Sequence, residues 1–332
     1  MKSKRLMIVI GGILLFLAGS FFTEKKEEKV EDIPTVGVLQ FVSHPALDEI
    51  YRGIQEGLKD EGYEDGKTVK IVFQNGQADQ SKLTTMSQQL IQKNSDLLIG
   101  IATPAAQALA NSTEDLPIVL GAITDPVSAG LVESNEKPGR NITGVSDKSP
   151  VASQFELAVS LLPKAKKVGI LYSSAEENSK YQAAEAEKAA QAVGLTSKSY
   201  VVPSSNEIAQ TVQVMADEVD FIYIPTDNTI ANAMQTVVSE ADKTKTPIIP
   251  SVDTMVTEGG LATVGINQFE LGVQTGKMAA DILSGKSDPA TTPIYTFTTG
   301  DIIINEAQAE KLGVTIPQNI LEQAKKTDDE TD

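Results

Sequence analysis

The sequence predicts an α/β fold made of two similar parallel-sheet lobes joined by a three-segment hinge. Three observations carry that prediction. From Pro34 onward, short β-branched runs alternate with longer helical stretches, which is how βαβ units with buried parallel strands read. The chain has 332 residues, more than one ordinary core holds, and the series of elements restarts after a polar, glycine-containing passage around residues 135–149. Landmarks also recur between the halves: Asp96-Leu-Leu-Ile-Gly is echoed by Asp220-Phe-Ile-Tyr-Ile, and Leu116-Pro-Ile-Val-Leu by Thr246-Pro-Ile-Ile-Pro.

In chain order, the first lobe reads as strand Val36–Gln40, helix Leu47–Glu61, strand Val69–Gln74, helix Gln80–Asn94, strand Leu97–Ile101, helix Pro104–Asn111 and strand Ile118–Gly121. The second opens with helix Ala152–Leu162 and strand Val168–Tyr172. It continues with helix Lys180–Val193, strand Ser197–Val202, helix Asn206–Asp217, strand Phe221–Pro225, helix Thr229–Ala241 and strand Ile248–Ser251. Three extended stretches beside small or turn-forming residues, Asn141–Ser146, Leu261–Ile266 and Thr291–Ile304, read as crossings between lobes. Such crossings let each lobe stay rigid while the chain bends between them. The expected division is 33–142 plus 266–292 for the first lobe and 143–265 plus 293–320 for the second. A last helix, Glu306–Leu312, caps the structure, and 321–332 reads as an acidic tail.

The first 32 residues are of another kind. Lys2, Lys4 and Arg5 precede the apolar run from Leu6 to Phe22, the layout of an export signal. That run lies near the lower edge of the ~17–25 residues that span a bilayer, so a retained anchor and a cleaved signal both fit. Leu17-Ala18-Gly19-Ser20 resembles a bacterial lipoprotein signal, but Ser20 stands where that signal has cysteine, which removes thioether lipidation. The folded part is expected on the extracellular face of the cell membrane, anchored or secreted.

Charge and composition exclude several functions. A net charge of −17 argues against nucleic acid, whose phosphates need clustered Lys and Arg. With no cysteine there are no disulfides, no Cys-ligated zinc and no thiol nucleophile. The only histidine is His44, and neither a Gly-x-Ser-x-Gly elbow nor a metal-binding histidine pair occurs, so no enzyme, metal or cofactor is expected. Gly62-Tyr-Glu-Asp-Gly66-Lys67-Thr68 is spelled like a P-loop, but it is one residue short and leads into a strand instead of a helix.

What remains is binding. In parallel α/β sheets, ligands sit at the carboxyl ends of strands, where helix N-termini offer free N–H groups. Thr103, Pro104 and Ala105 open a helix at one such end, and Ala122 and Thr124 follow the neighbouring strand, making a rim suited to a carboxylate. Thr103 reads equally as a plain helix cap, and Asp125, before Pro126, as a turn residue. In the second lobe, Asp227 with Asn228, and Asp253, place acids opposite that rim, as an ammonium requires. Asp227 also fits the N-cap of the helix after it. His44 fits the cleft or a turn before Pro45. Phe41, Tyr51, Tyr172, Tyr223 and Phe269 each fit core or pocket.

Five segments carry a resemblance: Val36-Gly-Val-Leu-Gln40, Ile101-Ala-Thr-Pro-Ala-Ala-Gln107, Gly121-Ala-Ile-Thr-Asp-Pro-Val-Ser-Ala-Gly-Leu131, Asn141-Ile-Thr-Gly-Val-Ser146 and Gly265-Ile-Asn267. From Thr35 to about Ile316 the chain resembles the family of ABC transporter substrate-binding proteins that includes the streptococcal tryptophan-importer binding proteins, with a type I periplasmic-binding-protein-like fold. The resemblance implies a monomer that closes on a small ligand and delivers it to a membrane permease with its cytoplasmic ATPase. The ligand implied is an amino acid, aromatic such as tryptophan or phenylalanine. It further implies a carboxylate held at Thr103 and Ala122–Thr124 and an amine held by Asp227. With these, Gln40, Phe41, Pro104, Ala105, Ser146, Tyr172, Asn228 and Asp253 complete the candidate ligand-binding set. A sensor or receptor domain of the same fold, binding a sugar, purine or signal molecule, is the alternative. It would need an output module, and neither a helix-turn-helix before Pro34 nor a kinase-like segment after Ile316 is written in this sequence.

Overall fold

The computed structural model describes residues 33–297 and 299–325. The expected signal or anchor and its spacer, at 1–32, lie outside the described residues. Among those described, no helix is long and apolar enough to cross a membrane.

The first sheet is wholly parallel, with strand order β11-β5-β4-β3-β1-β2. Its strands are β1 (Thr35–Gln40), β2 (Lys70–Asn75), β3 (Leu97–Ile101), β4 (Ile118–Gly121), β5 (Ile142–Ser146) and β11 (Tyr295–Thr296). β3 and β4 are buried along their whole length, which is why they read as unbroken aliphatic runs. Helices α1 (Pro45–Asp60), α2 (Gln80–Gln92) and α3 (Thr103–Ala110) connect them.

The second lobe repeats the plan. Parallel strands β6 (Lys167–Ser173), β7 (Thr196–Val202), β8 (Phe221–Ile224) and β9 (Ile248–Pro250) lie in the order β7-β6-β8-β9. They are joined to α4 (Val151–Leu161), α5 (Glu177–Ala192), α6 (Ile208–Ala216), α7 (Asn228–Ala231), α8 (Met234–Ala241) and α9 (Asp253–Thr257). β10 (Ala262–Gly265) runs antiparallel to β12 (Asp301–Ile304), and β13 (Ala324–Lys325) runs parallel to β12. Leu261 N–H donates to the Ile248 carbonyl at 2.7 Å, which carries this small sheet on from β9.

The chain passes between lobes three times: after β5, after β10, and between β11 and β12. Pairing to β4 places all of β5 in the first sheet, and β11 pairs to β5, so the chain leaves that sheet later than the expected limits of 142 and 292. The tail expected from 321 begins instead with an ordered turn and β13. α11 (Glu306–Leu312) and α12 (Gln318–Leu321) precede it, and Ile320 is buried. The helix expected over Thr229–Ala241 is two pieces. Ala233 N–H bonds back to the Ile230 carbonyl at 2.9 Å, a tightened turn that ends α7 before α8 starts.

One long helix is absent from the sequence reading. α10 (Gln268–Leu283) follows the second crossing and returns to the first lobe, where Leu271, Met278 and Ala279 share a core with Val36 and Val38. Asn267 Oδ1 caps it by accepting from Glu270 N–H at 2.9 Å. It lies directly on α1. A Cβ on Gly272 would stand 2.1 Å from the Ile50 carbonyl oxygen, and one on Gly53 would stand 2.1 Å from the Phe269 carbonyl oxygen. Only glycine lets the two backbones meet this closely.

Candidate ligand-binding cleft

The strand ends of both lobes line one narrow space between them, whose free volume is about 20 Å³, roughly room for one water. The first lobe contributes backbone. Ala102 (φ 72°, ψ 152°) and Ala122 (φ 60°) end β3 and β4 in the left-handed half of backbone space, where a residue with a Cβ is strained by ~1–3 kcal/mol. Both line the cavity. The turn at Ala102 starts α3 at Thr103, and an alanine cap has no side-chain acceptor to offer the first N–H groups of that helix. Gly100 allows α3 to sit on β3, since a Cβ there would meet Ala106 Cα at 2.7 Å. α1 also begins without a side-chain cap, at His44. Two uncapped helix ends therefore border the space, where free N–H groups favour an anion.

The second lobe contributes side chains that are already engaged. Asp227 caps α7: its Oδ1 accepts from Ile230 N–H at 2.8 Å and its Oδ2 from Ser173 N–H at 2.6 Å. Burial, followed by the neighbouring Glu176 carboxylate, pushes its carboxyl up to about 7, against the pull of those N–H groups. Glu176 is also buried; its Oε1 accepts from the N–H and hydroxyl of Thr229, and its Oε2 from Asn228 Nδ2 at 2.5 Å. Thr226 shares a hydroxyl cluster with Ser149 and Ser251 at 3.2 and 2.9 Å, tying the first crossing to this wall.

Between the lobes stands His44, with Nε2 3.2 Å from Asn228 Oδ1. Asn228 Nδ2 is committed to Glu176, so its Oδ1 accepts, and the His44 tautomer is the one with hydrogen on Nε2. Burial lowers the His44 pKa from its ordinary 6.5, keeping the ring neutral. Gln80 Nε2 donates across the gap to the Ala175 carbonyl at 2.7 Å, and the Tyr181 hydroxyl reaches Asp125, whose Oδ1 also accepts from Ser128 N–H at 2.7 Å. Contacts of this kind exist only when the lobes are closed.

Of the residues expected from the sequence, Thr103, Ala122, Thr124, Asp227 and Asn228 line the space. The others do not. Gln40 is fully buried, its amide donating to the Val42 carbonyl and to Asp48 Oδ1, each at 2.8 Å, and Phe41 lies in the first-lobe core. Pro104 and Ala105 face into the packing of α3, Ser146 donates to the Thr124 carbonyl, and Tyr172 packs against the second-lobe core. Asp253 is buried at the start of α9, where its Oδ1 accepts from Thr254 N–H. Tyr223 is core, Tyr51 stacks on Phe73, and Phe269 lies under Arg52. Among the described residues the apolar wall comes from Ala46, Leu47, Ala231 and Val252, with no ring.

The cleft also holds Asp147, Asn178, Thr226 and Gln268, which stood outside the expected set, and His44, for which the sequence left cleft and turn open. Asp147 had a signal, since it directly follows the crossing strand that ends at Ser146. Burial pushes its carboxyl up to about 6, opposed by hydrogen bonds from the Thr124 hydroxyl and from its own backbone.

Several known proteins are similar to this chain. A protein of Clostridioides difficile (strain R20291) named tyrosine-binding protein is 37% identical over 315 residues, 92% of this chain and 91% of its own. An ABC domain from Streptococcus pneumonia crystallised with L-Trp has a TM-score of 0.87 at 52% identity, over 89% of this chain and 99% of that one. A ligand-free, open substrate-binding protein with adhesive properties from Clostridium difficile, at 37% identity and the same coverage, has a TM-score of 0.68, as a closed cleft set against an open one should give. The family described as ABC transporter substrate binding protein matches residues 35–328, and the chain belongs to that family of non-enzymatic, two-lobed binding proteins.

Proposed function

We propose that this chain captures an aromatic L-α-amino acid outside the cytoplasm and hands it to the membrane permease of an ABC importer. The observation that carries this reading is the make-up of the closed cavity. It combines a donor rim at Ala102–Thr103 and Ala122–Thr124, buried carboxylates at Asp147 and Asp227, and a wall of Ala46, Leu47, Ala231 and Val252. An α-amino acid needs donors for its carboxylate, an acid for its ammonium and apolar surface for its side chain. The relatives crystallised with L-Trp or named for tyrosine point the same way.

The test is a thermal-shift and calorimetry series on the chain from Glu31 onward with L-tryptophan, L-tyrosine, L-phenylalanine, adenosine and glucose. The aromatic amino acids should raise the melting temperature, by an increment equivalent to about 2.7 kcal/mol at a hundredfold excess over Kd. A response to adenosine or glucose with none to the amino acids would move the chain to the sugar or purine binders of this fold. Residues 6–22 should hold the full-length chain in the membrane fraction. A mature form beginning near Ser20 and released to the medium would replace anchoring with secretion.

A further inference from the structure

We infer that the ammonium of the ligand is held by Asp147, on the first crossing, together with the amide oxygen of Asn178 on the facing lobe, and not by Asp227. The inference rests on the amino-acid reading above and assigns the parts of that same site.

Of the buried side-chain oxygens that lack a hydrogen-bond partner among the described residues, two line the cavity, Asp147 Oδ1 and Asn178 Oδ1. Both residues are more than nine-tenths buried, at 7% and 6% exposure. A buried acceptor without a donor is costly, so a pair of them at one site marks the place of a donor group. The orientation of the Asn178 amide is fixed from behind, because its Nδ2 donates to the Thr226 carbonyl at 2.8 Å; the end left over is an oxygen. An ammonium carries three N–H donors and no acceptor. It satisfies both oxygens and supplies the positive charge that Asp147 lacks, since only hydrogen bonds oppose the effect of burial there.

Asp227 offers no such opening. Each of its oxygens already accepts a backbone N–H at 2.6 or 2.8 Å, and both bonds hold α7 in place. With Glu176 it makes this wall negative, which draws a cation into the cleft, but the unfilled coordination is at Asp147. One anchor on the first crossing and one on the second lobe would also make ammonium binding and closure a single event.

The experiment is calorimetry with L-tryptophan and its des-amino analogue, indole-3-propionate, on the wild-type chain and on Asp147→Asn, Asn178→Leu and Asp227→Asn. The wild type should prefer the amino acid by roughly thirty-fold to several-thousand-fold, the range expected when a buried charge loses its partner. In Asp147→Asn that preference should collapse toward unity, and in Asn178→Leu it should shrink. In Asp227→Asn the preference should persist in whatever fraction folds. Because the readout is a ratio within each variant, partial misfolding does not mimic it. Binding of L-tryptophan with the preference intact in Asp147→Asn and lost in Asp227→Asn overturns the assignment while leaving the amino-acid reading in place. Equal wild-type affinity for the two probes removes the ammonium site altogether. No aromatic amino acid bound by the wild type removes the reading and the assignment together.

Discussion

The two lobes face the same cavity but build their shares of it differently: the first with backbone, the second with side chains. On the first, an uncapped helix beside alanines at positive φ leaves N–H groups open at its start, and glycines in α1 and α10 bring two helices into backbone contact. On the second, Asp227, Glu176, Gln182 and Asn228 tie the loops with hydrogen bonds before a ligand arrives, leaving the Asn178 oxygen open. The first lobe should therefore be injured by added atoms and the second by removed polar groups.

The largest effect is expected from Gly272→Val, whose branches would enter the space of the Ile50 carbonyl. A loss above the ~1–3 kcal/mol of ordinary overpacking should appear in urea unfolding. Wild-type stability in that variant would end the contrast on the first-lobe side. Asp227→Ala removes a cap and orphans two buried N–H groups; it should lose ~1–3 kcal/mol, softened by relief from Glu176. A fully stable Asp227→Ala would show that the second-lobe network is ornamental.

A pH series sharpens the same point. The carboxyls of Asp227 (about 7) and Asp147 (about 6) sit above the 3.8 of a free aspartate, so the folded state binds extra protons. Their contribution is complete below the unfolded value and is lost as pH rises through 6 and 7. His44 works in reverse, with its folded pKa below 6.5, and removes stability as pH falls under that value. Ligand-free protein should gain roughly 1 kcal/mol between pH 8 and 6.5. Below pH 6.5 protonation of His44 in the unfolded chain should offset part of the carboxyl gain, and His44→Gln should steepen it. A melting temperature that rises toward pH 8 would contradict the carboxyl shifts. The smallest change is Ala102→Gly, which relieves a φ of 72° but adds unfolded-state freedom, for a net gain below ~1 kcal/mol. Destabilisation there would mean the Ala102 methyl packs against something worth more than the strain.

The contrast also explains what the sequence disclosed. Strand runs such as Leu97–Ile101 were legible because burial on both faces leaves an aliphatic signature, and the donor rim was legible because Thr103-Pro104 is a helix start in any context. α10 was not, because Gly272, Thr275 and Gly276 lie on its buried face and break the apolar stripe that announces a helix. Nor were Asp147 and Asn178 as ligand contacts. Composition can say that an acid is near the cleft, but whether its oxygen is free depends on which N–H groups the fold brings to it. For Asp227 those donors come from Ser173 and Ile230, one of them on a different strand.

The contact between α1 and α10 bears on how the chain is made. Val36 and Val38 enter the same core as Ile266, Leu271 and Met278, with most of the second lobe written between them. The lobe that is begun first is thus completed only after most of the second has been made. Until Gly272 meets Ile50, the apolar face of α1 stays uncovered, while the strands from β6 to β9 already have their neighbours to hand. A nascent chain stopped before Gln268 would carry the four parallel strands β6 to β9 already paired, with both lobes still lacking the segments that close them, an order set by topology.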